Sequence, residues 1–155
     1  MGRLKKGKVV SIDTNKKELQ EAPPGPIKII MDAADLKFLD RTFETAASFF
    51  TLMYIPDSIH KRVFRETFRV LKNGGRFLIW DAVFPERPDD AKDIAVFPLT
   101  VHVSHNRIDT GYGVPWPKTG RDIRYFEETA RQTGFEIHSM EENGMIFTLM
   151  LMKPD

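Results

Sequence analysis

Ile27-Lys-Ile-Ile-Met-Asp-Ala-Ala-Asp-Leu-Lys-Phe38 is the stretch on which the reading of this chain turns. A short apolar run over residues 27–31 ends in Asp32-Ala33, and an acidic turn leads on to Leu36 and Phe38. A run of that length closed by an acid reads as a strand with a polar side chain at its C-terminal end. The preceding run, Lys8-Val-Val-Ser-Ile-Asp13, has the same form. Between them residues 14–21 read as a helix, with Thr14 or Asn15 as its N-cap. Ala22-Pro-Pro-Gly-Pro26 must stop that helix, because proline cannot continue it.

Downstream, residues 45–54 are apolar throughout, as expected of a central parallel strand covered on both faces. Residues 58–72 give the clearest helix: Phe64, Phe68 and Leu71 recur at helical spacing, with Ile59 and Val63 beside them. Lys61, Arg62, Arg65, Arg69 and Lys72 mark its solvated face, and His60 falls with that charged face. Gly74-Gly75 closes the helix with a left-handed cap. Residues 76–83 read as the next strand. Residues 91–118 read as irregular: residues 102–109 hold at most one strand, and Gly111-Tyr-Gly-Val-Pro-Trp-Pro117 no regular structure. Residues 119–133 read as a helix ended by Gly134, and residues 136–140 and 145–152 as two strands joined through Asn143-Gly144. Strands alternate with helices up to that last hairpin, which predicts an α/β sheet, mostly parallel, with helices on both faces.

Composition bounds the rest. The 155 residues suit one domain, and 41% hydrophobic with 29% charged residues is ordinary for a soluble globular protein. A net charge of +1 gives no reason to expect nucleic acid as a partner. No apolar run approaches the ~20 residues of a membrane-spanning helix, so no membrane is expected. The basic N-terminus (Arg3, Lys5, Lys6, Lys8) is followed by no segment of signal-peptide shape. With no cysteine there is no disulfide framework, and a cytoplasmic location is the expectation. The spacing of the four histidines makes no recognisable metal-ligand set.

Residues 27–38, together with Phe68-Arg-Val-Leu-Lys-Asn-Gly-Gly-Arg-Phe-Leu-Ile-Trp-Asp81, resemble the C-terminal two-thirds of a class I S-adenosylmethionine (SAM) dependent methyltransferase, the Rossmann-like small-molecule type. Phe43-Glu44 stands where that family usually has Phe-Asp, and Asn73 where its arginine-valine-leucine-lysine-proline-glycine-glycine signature has proline. The resemblance implies that Asp13 takes the ribose hydroxyls, which suits an acceptor-only carboxylate. A helix-capping aspartate is the plainer reading of the same residue. It implies that Asp32 receives the adenine amino group and that an amide near Ala33 meets the ring; a strand-end turn is the alternative. Ser48 would lie near the sulfonium, or simply in the core. Asp81 would end a strand on the ligand-holding edge.

In this resemblance residues 91–118 carry the acceptor site. His102 or His105 could act as a base there, and Tyr112 and Trp116 could form an aromatic lid; solvated histidines and a rigid loop are the alternatives. The family's first strand and its Gly-x-Gly-x-Gly turn have no counterpart in the residues before Asp13. The expectation is therefore one truncated methyltransferase-like domain over residues 1–155. Its sheet would follow the family order three-two-one-four-five-seven-six with strand one missing, and the edge so exposed would be paired with something else, for which a homodimer is the expected repair. Weak or partial SAM binding is expected, held by the nucleoside half, with methyl transfer to a small-molecule acceptor. Two other readings stay open: a non-catalytic methyltransferase-like interaction module, and another Rossmann-like nucleotide enzyme such as a dehydrogenase.

Overall fold

The computed structural model describes residues 9–89, 92–103, 106–117 and 120–155. The basic N-terminal residues (Lys8 among them), His105 and Thr119 lie outside the described residues. The chain begins with a β-α-β unit: β1 (Val10–Asp13), α1 (Lys16–Glu21) and β2 (Ile27–Ile30). Asn15 caps α1 by accepting the Lys17 N–H at 3.0 Å. β1 and β2 are parallel, and Met31 N–H extends the ladder to the Asp13 carbonyl at 3.0 Å.

The second part holds β3 (Phe43–Phe49), a 3-10 turn (Leu52–Tyr54), α2 (Asp57–Val70) and β4 (Leu71–Ala82). After it come β5 (Ile94–Val103), β6 (Asn106–Pro115), α3 (Ile123–Gln132), β7 (Glu136–Asn143) and β8 (Ile146–Met152). β3 runs parallel to β4, β4 antiparallel to β8, and β8 antiparallel to β7, giving a four-stranded order β3-β4-β8-β7. This is an α/β Rossmann-like fold with the expected C-terminal antiparallel hairpin, turned at Gly144, whose φ of +63° glycine adopts without strain. The main core lies between this sheet and the helices, around Phe64, Phe77, Phe126, Phe147 and Leu149.

The sheet comes in two pieces. Among the described residues β1 pairs only with β2, and β3 only with β4. Nothing among the described residues of this one chain takes the other edge of β1. β3 is accordingly an edge strand and not one covered on both faces: Glu44, Thr45, Ala47 and Phe49 are exposed. It also ends early, at Phe49, because Phe50 adopts φ +48° and turns the chain.

Three further expectations are corrected. α2 ends at Val70, with Leu71 already extended, so the two glycines do not cap it. The cap comes from the far end of the chain, where the Lys153 ammonium donates to the Phe68 and Leu71 carbonyls, each at 2.8 Å. Gly74 and Gly75 serve the bulge that opens β4: Gly74 has φ +66°, and a Cβ on Gly75 would sit 2.6 Å from the Lys72 carbonyl oxygen. Ile94–Val103 and Asn106–Pro115 form an antiparallel ribbon and not an irregular segment, because β5 pairs with β6 along its whole length. A two-stranded ribbon leaves one edge of each strand free, so Pro98 and Pro115 need forfeit no ladder bond. Finally, His60 is fully buried. It shares the α2 stripe of Val63, Phe64, Thr67 and Val70.

Candidate functional site

α1 starts at the C-terminal end of β1. Tyr54 follows the C-terminal end of β3. The acids of the first sheet piece lie on the side of its C-terminal strand ends.

On that side stand two acids at the ends of neighbouring parallel strands. Asp13 Oδ1 accepts the Asn15 N–H at 2.7 Å, and Asp32 Oδ1 accepts the Ala34 N–H at 2.8 Å. Each carboxylate thus fixes its own turn with one oxygen, and its other oxygen has no hydrogen bond among the described residues. The Ala33 N–H is likewise unpaired there, between an acid on one side and a bonded amide on the other. The loop that follows is latched to α2. Arg69 donates to the Leu36 and Phe38 carbonyls, each at 2.8 Å, to Asp40 at 2.7 Å and to Glu66 at 2.8 Å, while Glu66 accepts the Leu36 N–H at 2.9 Å. The Arg69 guanidinium holds the Glu66 carboxyl below the usual carboxylate range. The signature arginine thereby fixes the segment behind Asp32-Ala33.

Beyond β3 the site becomes aromatic. Phe50 stacks on Tyr112 with ring centroids 5.2 Å apart, Tyr54 meets Tyr112 edge-on at 6.4 Å, and Phe49 meets Phe50 edge-on at 4.9 Å. Phe49 is 48% and Tyr54 50% exposed. Trp116 packs against Phe84 at 6.1 Å, at the base of the ribbon. The Ser48 hydroxyl, one residue before Phe49, is buried without a hydrogen-bond partner among the described residues. His102 is exposed near the ribbon's tip, opposite Arg107 in register. The structure thus brings Asp13, Asp32 and Ala33 together at one end of the sheet. It sets Ser48 and Tyr112 beside the aromatic turn, and Trp116 and His102 further along.

The turn itself is held by Asp81, which the resemblance sets on the ligand-holding edge but which is buried because backbone amides converge on it, and by His60 and Arg121, to which sequence reasoning gives no role. Asp81, fully buried at the end of β4, accepts the N–H groups of Thr51, Leu52 and Met53. Burial pushes its carboxyl up to about 6, against backbone donors that favour the anion. The carbonyl side of the same turn is met by His60 Nε2, 2.9 Å from the Leu52 oxygen, and by Arg121, which reaches the Leu52 and Met53 oxygens at 3.5 and 3.4 Å. A carbonyl only accepts, so His60 carries its proton on Nε2, and in the neutral ring Nδ1 accepts from Tyr125 at 2.9 Å. Arg121 also pairs with Asp57 at 3.3 Å and lies 4.7 Å over the Phe84 ring. The helical period of α2 could have found His60; nothing local points to Arg121.

The residues present fit the nucleoside half of SAM: two part-free carboxylates, an unpaired amide next to the second, and an orphan hydroxyl further along. No Gly-x-Gly-x-Gly turn exists in the sequence to receive the methionine half. No three metal-ligating side chains converge among the described residues, and no described helix is long and apolar enough to cross a membrane.

The family described as methyltransferase domain matches residues 1–79. The chain is 28% identical over 114 residues to a sterol 4-C-methyltransferase of Caenorhabditis elegans, covering 74% of this chain and 32% of that protein. It is 30% identical over 109 residues to the methyltransferase phqN of Penicillium fellutanum, covering 70% and 30%. The chain spans about a third of the length of these curated relatives. Among solved structures, an S-adenosylmethionine dependent methyltransferase from Mesorhizobium loti matches with a TM-score of 0.65 at 17% identity, over 94% of this chain and 80% of that one. The PH0226 protein of Pyrococcus horikoshii matches at 0.64 and 21%, over 96% and 72%. The fold is shared with these structures. The chain belongs to the methyltransferase domain family, and its Rossmann-like fold is that of these solved structures.

Proposed function

We propose that this chain serves SAM-dependent methyl transfer to a small-molecule acceptor. The observation that carries the reading is the pair Asp13 and Asp32, at the ends of adjacent parallel strands with one carboxylate oxygen free on each and the Ala33 N–H free beside them. In this reading Asp13 takes the ribose hydroxyls, Asp32 takes the adenine amino group and the Ala33 N–H donates to the ring. Ser48 offers its unpaired hydroxyl toward the sulfonium side, and Tyr112 and Trp116 flank the acceptor. SAM, when bound, supplies a methyl group on a positively charged sulfur. The chain's part is alignment and exclusion of water, which needs no strong base. His102 stands on the outer face of the ribbon tip, and the reading gives it no proton to move.

Calorimetry with S-adenosylhomocysteine tests this. Weak binding that Asp32→Ala abolishes is the expected result; unchanged binding in that variant removes the adenine assignment. NAD binding as tight as that of S-adenosylhomocysteine would favour a different nucleotide enzyme.

The edges of β1 and β3 that no described strand takes favour a second reading alongside the first, in which a further copy of this chain pairs there. Light scattering should then give a mass near twice 17.9 kDa at micromolar concentration, and a monomer would reject the homodimer.

A further inference from the structure

The turn that carries Asp32 and Ala33 closes on a sulfur atom. Met31 follows β2; its N–H donates to the Asp13 carbonyl at 3.0 Å, and its Sδ accepts the Lys37 N–H at 3.4 Å. Oxygen holds the neighbouring amides of the turn. The Asp32 carboxylate accepts the Ala34 N–H at 2.8 Å, the Asp32 carbonyl accepts the Asp35 N–H at 3.0 Å, and Glu66 accepts the Leu36 N–H at 2.9 Å. A thioether is a weak acceptor, and it is also an atom that a mild oxidant converts to a polar sulfoxide. Met31 is half-buried and keeps contact with solvent.

The two sides of the Lys37–Met31 contact differ in firmness. Arg69 donates to the Leu36 and Phe38 carbonyls, each at 2.8 Å, so α2 grips the residues on both sides of Lys37. Met31 and Asp32 lie just past the end of a four-residue strand whose one neighbour, among the described residues, is β1. An oxygen set between the sulfur and the Lys37 nitrogen, with the ~2.9 Å that an N–H···O bond takes, pushes the two apart by about 1 Å. The strand end yields before the gripped loop does. The displacement therefore falls on Asp32 and Ala33.

We propose that Met31 is an oxidation site that controls the nucleoside end of the candidate site: as the thioether it holds the Asp32–Ala33 turn in place, and as the sulfoxide it displaces that turn. The step is a two-electron oxidation by a peroxide. A sulfur lone pair attacks one peroxide oxygen, and an S–O bond forms as the O–O bond breaks. The departing hydroxide takes the proton of the transferred oxygen and leaves as water. Enzymatic reduction of the sulfoxide restores the thioether, so the change is reversible. Control of a nucleoside rests on the cofactor reading above; displacement of the turn does not.

The test treats the full chain with hydrogen peroxide and follows Met31 by peptide mass mapping. S-adenosylhomocysteine affinity and amide hydrogen exchange are measured before and after. Affinity should fall by about tenfold as Met31 converts. Exchange at Ala34 and Asp35 should rise by about tenfold, and methionine sulfoxide reductases should return both. Met31→Leu should show neither response to peroxide. Met31→Gln, which carries an oxygen near the place of the sulfoxide's, should show both without it. Replacing Met140 and Met145 of the C-terminal hairpin, 41% and 42% exposed, by leucine should leave the response intact. Conversion of Met140 and Met145 while Met31 stays a thioether overturns the proposal. So does a Met31 sulfoxide with unchanged exchange, or a response to peroxide that survives in Met31→Leu. If exchange rises and S-adenosylhomocysteine binds neither form, the cofactor reading falls and the oxidation site stands. If exchange rises and both forms bind it equally, control of the nucleoside end falls.

Discussion

The Asp81 carboxylate accepts the Leu52 N–H at 2.8 Å, joining the end of β4 to the turn that follows β3. The N–H groups of Thr51, Met53 and Ala82 converge on the same side chain at 3.1, 3.2 and 2.9 Å. Asp81→Ala leaves these donors buried and unpaired. An orphaned buried group costs ~1–3 kcal/mol, so the expected loss is about 3 kcal/mol, read as a lower midpoint in urea unfolding. A loss under ~0.5 kcal/mol would show that the turn holds without its acid.

The same residue sets a pH dependence. Its folded pKa of about 6 lies above the ordinary 3.8, so the native state keeps the proton longer than the unfolded chain. Stability from this group is greatest below pH 3.8 and falls as pH rises toward 6. His60 acts in the opposite sense. Burial holds its pKa below 6.5, so its contribution is full above 6.5 and is lost as pH falls. The two slopes oppose each other in the acid range. In His60→Gln the aspartate slope is no longer opposed by the histidine, and stability should rise as pH is lowered from 6 to 5, above the range in which Glu66, Asp35 and Asp109, whose carboxyls are held below their ordinary values, begin to lose theirs. Thermal unfolding across that range decides it; a decline in the variant would contradict the assignment.

Much of this was legible because local chemistry and tertiary structure agree. The parallel pair ending in Asp13 and Asp32, the helix rich in Phe64 and Val63, and the Gly144 hairpin each follow from patterns within a few residues. The failures share one cause, which is contacts made far along the chain. Gly74-Gly75 looks like a helix cap, but Lys153 makes the cap from the other terminus. Gly111 and Gly113 look like breakers, but as a strand they face Pro98 and Val96 across the ribbon. The clamp of Asp81, His60 and Arg121 joins elements up to 69 residues apart, beyond any local period.

Lys153→Met keeps the aliphatic stem and removes the ammonium that reaches the Phe68 and Leu71 carbonyls and lies 4.6 Å over the Phe68 ring. Charged hydrogen bonds to a buried helix end are worth ~1.5–3 kcal/mol. A loss of about 2 kcal/mol is expected in chemical unfolding, with hydrogen exchange rising first at the last turn of α2. Unchanged stability and exchange would mean that water replaces the ammonium there.

Ser48 gives the sharpest separation of structural from functional roles. Its hydroxyl is buried with no partner among the described residues, and an unpaired hydroxyl of this kind costs ~1–3 kcal/mol on protein scales. Ser48→Ala removes the hydroxyl while keeping the small side chain that β3 carries against Ile79. Stability should therefore rise, by about 1 kcal/mol, in urea unfolding. If the hydroxyl serves a ligand, the same variant should weaken S-adenosylhomocysteine binding several-fold in calorimetry. A gain in stability with unchanged affinity would strike Ser48 from the binding set, and a loss of stability would show that the hydroxyl is paired within the fold.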